Sequence, residues 1–230
     1  MIYIACDTDD LTRAKELAKT MSDMPVGIKL GMTFFAANGP DGIRAVHEVA
    51  HQPIFLDMKY HDIPAQVAGA VESCCRLPIA ILNIHASGGS TMMSEAAKAR
   101  NNTNPNVALI AVTVLTSMDE TDREALGWVG PTIADQVTRW AQLTKKSGLD
   151  GVVCSPHEIA QIRLACGPTF QLVTPGVRPI GADLNDQKRV MTPGEAMKAG
   201  STHLVIGRPI TGAENPAAAA RAIMTELNAA

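Results

Sequence analysis

The string Leu56-Asp57-Met58-Lys59-Tyr60-His61-Asp62 sets a carboxylate and an ammonium two residues apart at the close of an apolar run. Residues two apart in an extended strand share a face. Phe55, Asp57 and Lys59 should therefore point one way, and Ile54, Leu56 and Met58 the other. Charges on an inward face need partners, because burying an unpaired ion is costly even after relaxation. Two acids and two bases balance formally: Lys29, Asp57, Lys59 and Asp62. The bland alternative is a structural ion-pair network. A buried pair adds little net stability over apolar side chains of equal volume, which favours function. An ammonium held between carboxylates stays protonated and fixed, as stabilising a developing negative charge requires.

Positioning such groups falls to short β-branched runs at Ile2–Cys6, Val26–Leu30, Ile54–Met58, Ile79–Ile84, Val107–Val114, Gly151–Cys154, Phe170–Val173 and His203–Ile206. Between them lie stretches with helical apolar spacing, such as Leu11–Met21, Ile43–Ala50, Ala65–Cys75, Ile133–Lys146 and Pro216–Leu227. Strands alternating with helices predict a parallel α/β fold, and a count of eight favours a closed (β/α)8 barrel. A doubly wound open sheet is the runner-up, but the first turn, Asp7-Thr8-Asp9-Asp10, lacks a glycine-rich fingerprint. No composition break divides the chain, so residues 1–230 read as a single domain.

The strand ends carry Asp7, Lys29, Asp57 with Lys59, His85, Thr113 and Thr116, Ser155, Thr174, and Gly207-Arg208. In a barrel those ends form one rim, where active sites lie. Gly207 lets backbone N–H groups approach an anion and Arg208 offers a forked contact, which suits a phosphate at the last two loops. The connection from Thr174 to Thr192 is long and reads as a lid, with Arg178 and Gln187 folding over that phosphate, a disordered segment being the alternative.

Composition excludes several classes. The chain has 230 residues, 46% hydrophobic and 19% charged, enough for a sizeable core. A net charge of −3 gives no general electrostatic case for nucleic acid, and 3% aromatics leave little to stack on bases. No apolar run reaches the ~18 residues of a spanning helix, and acids at Asp7, Asp9 and Asp10 argue against a signal peptide, so no membrane association is expected. Five cysteines without a C-x-x-C pair point to reduced thiols and a cytoplasmic protein. The histidines show no metal-ligand spacing, so no metal is expected.

Asp57-Met58-Lys59-Tyr60-His61-Asp62-Ile63-Pro64 resembles the D-x-K-x-x-D-I-P signature of the orotidine 5′-phosphate decarboxylase family. Asp7, Lys29, Asn83-Ile84-His85-Ala86-Ser87-Gly88-Gly89, Thr113 to Met118, Val173 to Pro179, Asp186-Gln187 and Val205 to Thr211 extend the likeness along the chain. The resemblance implies cofactor-free, metal-free decarboxylation to uridine 5′-phosphate on a homodimeric barrel. It makes Lys59 the proton donor to C6, places Asp57 beside the departing carboxylate, and has Lys29 link the ribose hydroxyls to the charges. Asp62 would reach into the partner's site, Asp7 would bind a ribose hydroxyl, and Thr116 or Ser117 the pyrimidine edge. Gln187 would bridge base and phosphate, with Arg208 and the Gly207 N–H on the phosphate. His61 and His85 are expected to support rather than react. One departure stands out: Ala65-Gln66 replaces the family's usual Asn-Thr, whose threonine contacts a ribose hydroxyl of the neighbouring subunit. Related sugar-phosphate enzymes share D-x-K-x-x-D but hold Mg²⁺ partly through a glutamate after the second strand. Residues Gly27 to Ala37 contain no acid.

Overall fold

A computed structural model describes residues 1–128, 132–178 and 191–229. Eight parallel strands close into one barrel in sequence order: β1 (Ile2–Cys6), β2 (Val26–Gly31), β3 (Ile54–Tyr60), β4 (Ile81–His85), β5 (Ala108–Val112), β6 (Gly151–Val153), β7 (Gln171–Thr174) and β8 (His203–Ile206). β1 pairs with both β2 and β8, which closes the cylinder and leaves no sheet edge. The expected barrel is the observed fold.

Side-chain alternation builds two cores. Tyr3, Ala5, Phe55, Ile81, Ile110, Val173 and Val205 fill the interior. Ile4, Ile28, Leu30, Ile54, Leu56, Leu82 and Ile84 pack outward against the helices. Parallel strands covered on both faces are apolar throughout, which is why these runs read as continuous hydrophobic segments. At the lower end, Gly27 makes room for an aromatic ring: a Cβ there would sit 2.3 Å from Tyr3 Cε1.

The helices form the outer layer: α1 (Leu11–Thr20), α2 (Met32–Ala50), α3 (Pro64–Cys74), α4 (Gly89–Thr103), α5 (Glu120–Ala125), α6 (Ile133–Lys146), α7 (Ile159–Cys166), α8 (Pro193–Ala199), α9 (Arg208–Thr211) and α10 (Pro216–Ala229). Asp10 starts α1 by accepting hydrogen bonds from the Thr12 and Arg13 N–H groups, a cap of about 1 kcal/mol. Pro64 opens α3 at its first turn, where a missing N–H costs nothing. The D-I-P string therefore ends the rim loop and begins the helix. No described helix is long and apolar enough to cross a membrane. All five cysteines are buried thiols, none of them in a disulfide.

Several boundaries shift from the sequence reading, β3 for instance running to Tyr60 rather than Met58, and two shifts have a clear local cause. α2 begins at Met32 rather than Ile43, because Gly39 (φ 58°, ψ −160°) breaks the helix only locally before Pro40 restarts it. β4 begins at Ile81 rather than Ile79, because the Ile79 N–H turns back to the Leu77 carbonyl.

Candidate active site

Four charges form a chain across the carboxyl-terminal mouth of the barrel. Lys29 Nζ lies 2.9 Å from Asp7 Oδ1 and 3.3 Å from Asp57 Oδ2, and Lys59 Nζ lies 2.6 Å from Asp57 Oδ1. The formally neutral quartet is thus Asp7–Lys29–Asp57–Lys59 within one chain, with Asp7 in the place the sequence reading gave to Asp62. Lys29 and Asp57 are buried, each at 8% exposure. Asp7 is open, its side chain 68% exposed, and holds Lys29 from the rim. A contrasting pair at the other end of the barrel is structural. Arg100 there binds Asp150 Oδ2 and the Val107 carbonyl, and Asp150 accepts the Leu109 N–H. Neither Arg100 nor Asp150 lines the cavity.

Burial alone would raise the carboxyl pKa of Asp57. Lys29 and Lys59, with hydrogen bonds from Lys59 and Asn83, instead hold it below the usual carboxylate range. Burial would likewise pull the Lys29 ammonium down, but Asp57 and Asp7 hold it above the ordinary lysine value. Both remain charged at neutral pH. A depressed carboxylate contributes stability above its unfolded pKa, about 3.9, and loses it as pH falls through the folded value. A raised ammonium contributes stability below about 10.4 and loses it as pH rises through its own folded value. Denaturant midpoints should therefore show wild type well above Asp57→Asn at pH 7, with the gap narrowing as pH drops below about 4. A gap independent of pH would contradict this account of the array.

A cavity of about 850 Å³ opens above these charges. Asp7, Lys29, Asp57, Lys59, Thr116, Arg178, Gly207 and Arg208 all line it, so eight residues singled out from the sequence converge. On the β7–β8 side Arg178 is buried. One of its amino groups reaches the Val177 carbonyl, and its Nε has no hydrogen-bond partner among the described residues. Burial and the nearby charge of Arg208 lower its pKa. Two cations brought together in this way favour an anion between them. Arg13, Glu16 and Thr20 on α1 also line the cavity, and no strand-end argument would find them.

Asp62 stands apart. It is exposed, and its carboxylate accepts the Ile63 N–H at 2.6 Å. Gln66 is also exposed, and Ile63 presents a 64% exposed side chain. Gln187 lies outside the described residues. His61 and His85 pair with ring centroids 5.6 Å apart, and neither lines the cavity. Burial, then His61 and Lys59, lower the His85 pKa.

Strict alternation along β3 does not survive to Lys59. Pairing with β4 runs Phe55↔Ile81 and Leu56↔Leu82, then jumps to Tyr60↔Ile84. Lys59 has φ 52°, in the left-handed region. Its ammonium reaches the cavity through a bulge, a device common beside active sites. Asn83, part of the family likeness but given no role by the sequence, is fully buried and binds both the Lys59 N–H and Asp57 Oδ1. A carboxamide amid Ile81-Leu82-Asn83-Ile84 was the available signal, since a buried polar side chain must find partners.

A closed barrel whose mouth sets a lysine–carboxylate array beside an arginine-lined end defines an α/β-barrel enzyme, and the reaction then depends on kinship. The family model described as orotidine 5′-phosphate decarboxylase / HUMPS family matches residues 1–223. The chain belongs to that family. It is 48% identical over 234 residues to the orotidine 5′-phosphate decarboxylase of Moorella thermoacetica, covering 98% of this chain and 91% of the relative. It is 49% identical over 231 residues to that of Rhodospirillum rubrum, covering 98% and 93%. The crystal structure of orotidine 5′-phosphate decarboxylase from Lactobacillus acidophilus superposes with a TM-score of 0.87 at 34% identity, covering 99% of this chain and 98% of that one.

Proposed function

We propose that the protein decarboxylates orotidine 5′-phosphate to uridine 5′-phosphate and CO2, the last step of pyrimidine nucleotide synthesis, without cofactor or metal. The observation that carries this reading is the Lys59 ammonium at the cavity wall, 2.6 Å from a buried Asp57 carboxylate. Cleavage of the C6–carboxylate bond leaves the electron pair in the ring plane, where the π system cannot delocalise it. Stabilisation must come from a fixed cation at C6. Lys59 supplies that charge and then gives its proton to C6, so the product is neutral at carbon and the amine is left to be reprotonated by water. General acid catalysis alone contributes roughly 10²–10⁴-fold, so preorganised electrostatics carries the remainder.

The other residues follow from this pose. Lys29 and Asp7 address the ribose hydroxyls, and Thr116 the pyrimidine edge. Arg178 and Arg208, with the Gly207 N–H, hold the phosphate, whose binding energy is spent on closing the site. Gln187 bridges base and phosphate. Two copies form a homodimer in the cytoplasm, each lending Asp62 to the other's site. The exposed Asp62 carboxylate, with the apolar Ile63 beside it, supports that arrangement.

The test is loss of pyrimidine absorbance when orotidine 5′-phosphate is added to protein stripped with EDTA. Turnover is expected to persist. Related sugar-phosphate enzymes that share the D-x-K-x-x-D string need a glutamate-held metal after the second strand, and residues Gly27 to Ala37 offer no acid. Metal-dependent turnover of a ketose phosphate, with none of orotidine 5′-phosphate, would overturn the proposal.

A further inference from the structure

Three residues of β3, Asp57 to Lys59, stand opposite Asn83 alone on β4, because the register steps from Leu56↔Leu82 to Tyr60↔Ile84. Within that bulge Lys59 takes φ 52°, a conformation that L side chains rarely adopt. The Lys59 backbone N–H donates to Asn83 Oδ1 at 2.7 Å. Asn83 Nδ2 donates to Asp57 Oδ1 at 2.6 Å, and that oxygen also receives the Lys59 ammonium at 2.6 Å. The three bonds form a closed loop that runs through the backbone of Lys59, its side chain and the carboxylate between them. The chemistry fixes the amide orientation: a peptide N–H needs the carboxamide oxygen, and a carboxylate needs its nitrogen.

We infer that Asn83 is a positioning residue for the decarboxylation proposed above, holding Lys59 in its left-handed conformation and fixing Asp57 so that the ammonium is aimed before substrate binds. The inference rests on that reading of the reaction. No other side chain does both jobs from this position. Leucine offers neither bond, aspartate lacks the donor and sets a second negative charge against Asp57, and glutamine is one methylene longer. Strained backbone persists where its surroundings over-determine it, and here the side chain of a neighbouring strand replaces a ladder partner. Small misplacement of a reacting group is expensive in rate, since near-attack geometry is narrow. Asn83 itself does not line the cavity, so removing it leaves the substrate contacts in place.

The experiment compares wild type, Asn83→Ala and Asn83→Asp in four readouts: kcat, KM, affinity for uridine 5′-phosphate, and hydrogen exchange at the Lys59 amide. Asn83→Ala should lower kcat by about 100-fold and leave KM and nucleotide affinity within about threefold. Its Lys59 amide should exchange at least about tenfold faster, because the acceptor is gone. Asn83→Asp keeps that acceptor, so amide protection should persist while kcat falls comparably through repulsion of Asp57. A folded Asn83→Ala protein with kcat within threefold of wild type overturns the inference. So does a fall in kcat matched by an equal fall in nucleotide affinity, or unchanged exchange at Lys59. Should the alanine variant fail to fold, the aspartate variant decides alone: near-wild-type kcat sinks the idea. Wild-type protein inert toward orotidine 5′-phosphate would instead overturn the proposed reaction, and amide exchange would still judge the loop.

Discussion

Lys59→Ala should lose decarboxylation by at least about four orders of magnitude while still binding uridine 5′-phosphate within about tenfold of wild type. Two contributions disappear together: the proton for C6, and the fixed positive charge where the carbanion forms. Each alone is a large term, and no neighbouring group can supply both. Lys29 is committed to Asp7 and Asp57, at 2.9 Å and 3.3 Å. Binding survives because the phosphate end, with Arg178 and Arg208, lies on the other side of the cavity and is untouched. Folding survives too. The Lys59 side chain is 27% exposed, and after its loss Asp57 keeps Lys29 and the Asn83 amide. Removing Asp57 is a different experiment, since it leaves two ammonium groups facing one another without their shared counter-charge. Single-turnover rates with titration calorimetry for the product would check the split. Residual turnover within about a hundredfold of wild type would reject Lys59 as the acid, because general acid catalysis alone should exceed that loss.

How far the array could be foreseen depends on which rule governed each residue. Asp7, Lys29 and Asp57 were legible because β1, β2 and the first half of β3 keep strict alternation. Gly31 pairs with Asp57 in an unbroken register, so the ends of neighbouring strands stay level. Lys59 was placed in the cavity by the same rule, and it does reach the cavity, but by another route. A bulge resets the register after Leu56, and a positive φ turns the chain. Nothing in the string Asp57-Met58-Lys59 signals that bulge, since bulges commonly advertise themselves through glycine and this one carries a lysine. The conformation is imposed by a tertiary partner, Asn83, 24 residues away in sequence. Charge balance named Asp62 as the second acid, whereas within one chain Asp7 from the first strand takes that place beside Lys29. Counting charges finds how many partners are needed and not which strand brings them. α2 shows the same limit for secondary structure: apolar spacing starts this helix at Ile43, yet it begins at Met32 and runs through a local break at Gly39.

Asp62→Ala is expected to be nearly inactive alone, and mixing it with Lys59→Ala protein should restore activity to about a quarter of wild type. The reasoning is geometric. Asp62 is exposed, and its carboxylate binds the Ile63 N–H of its own loop rather than Lys59. If each site needs an Asp62 from a second copy, a mixed dimer carries one site with Lys59 and Asp62 both intact and one site lacking both. Random pairing makes half the dimers mixed, and half of their sites are whole, which gives the quarter. A self-contained site predicts the opposite, because each chain then lacks one essential group and no pairing repairs it. The order-of-magnitude contrast between recovery and none makes the result easy to read, provided that native mass spectrometry confirms subunit exchange. Recovery would also account for the charge arithmetic at Lys59. Its ammonium would have Asp57 on one side and the second copy's Asp62 on the other, so dimerisation itself would complete the field that the reaction needs. Exchanged dimers without recovery would return Asp62 to the role of a loop cap and leave Asp57 as the carboxylate that orients Lys59.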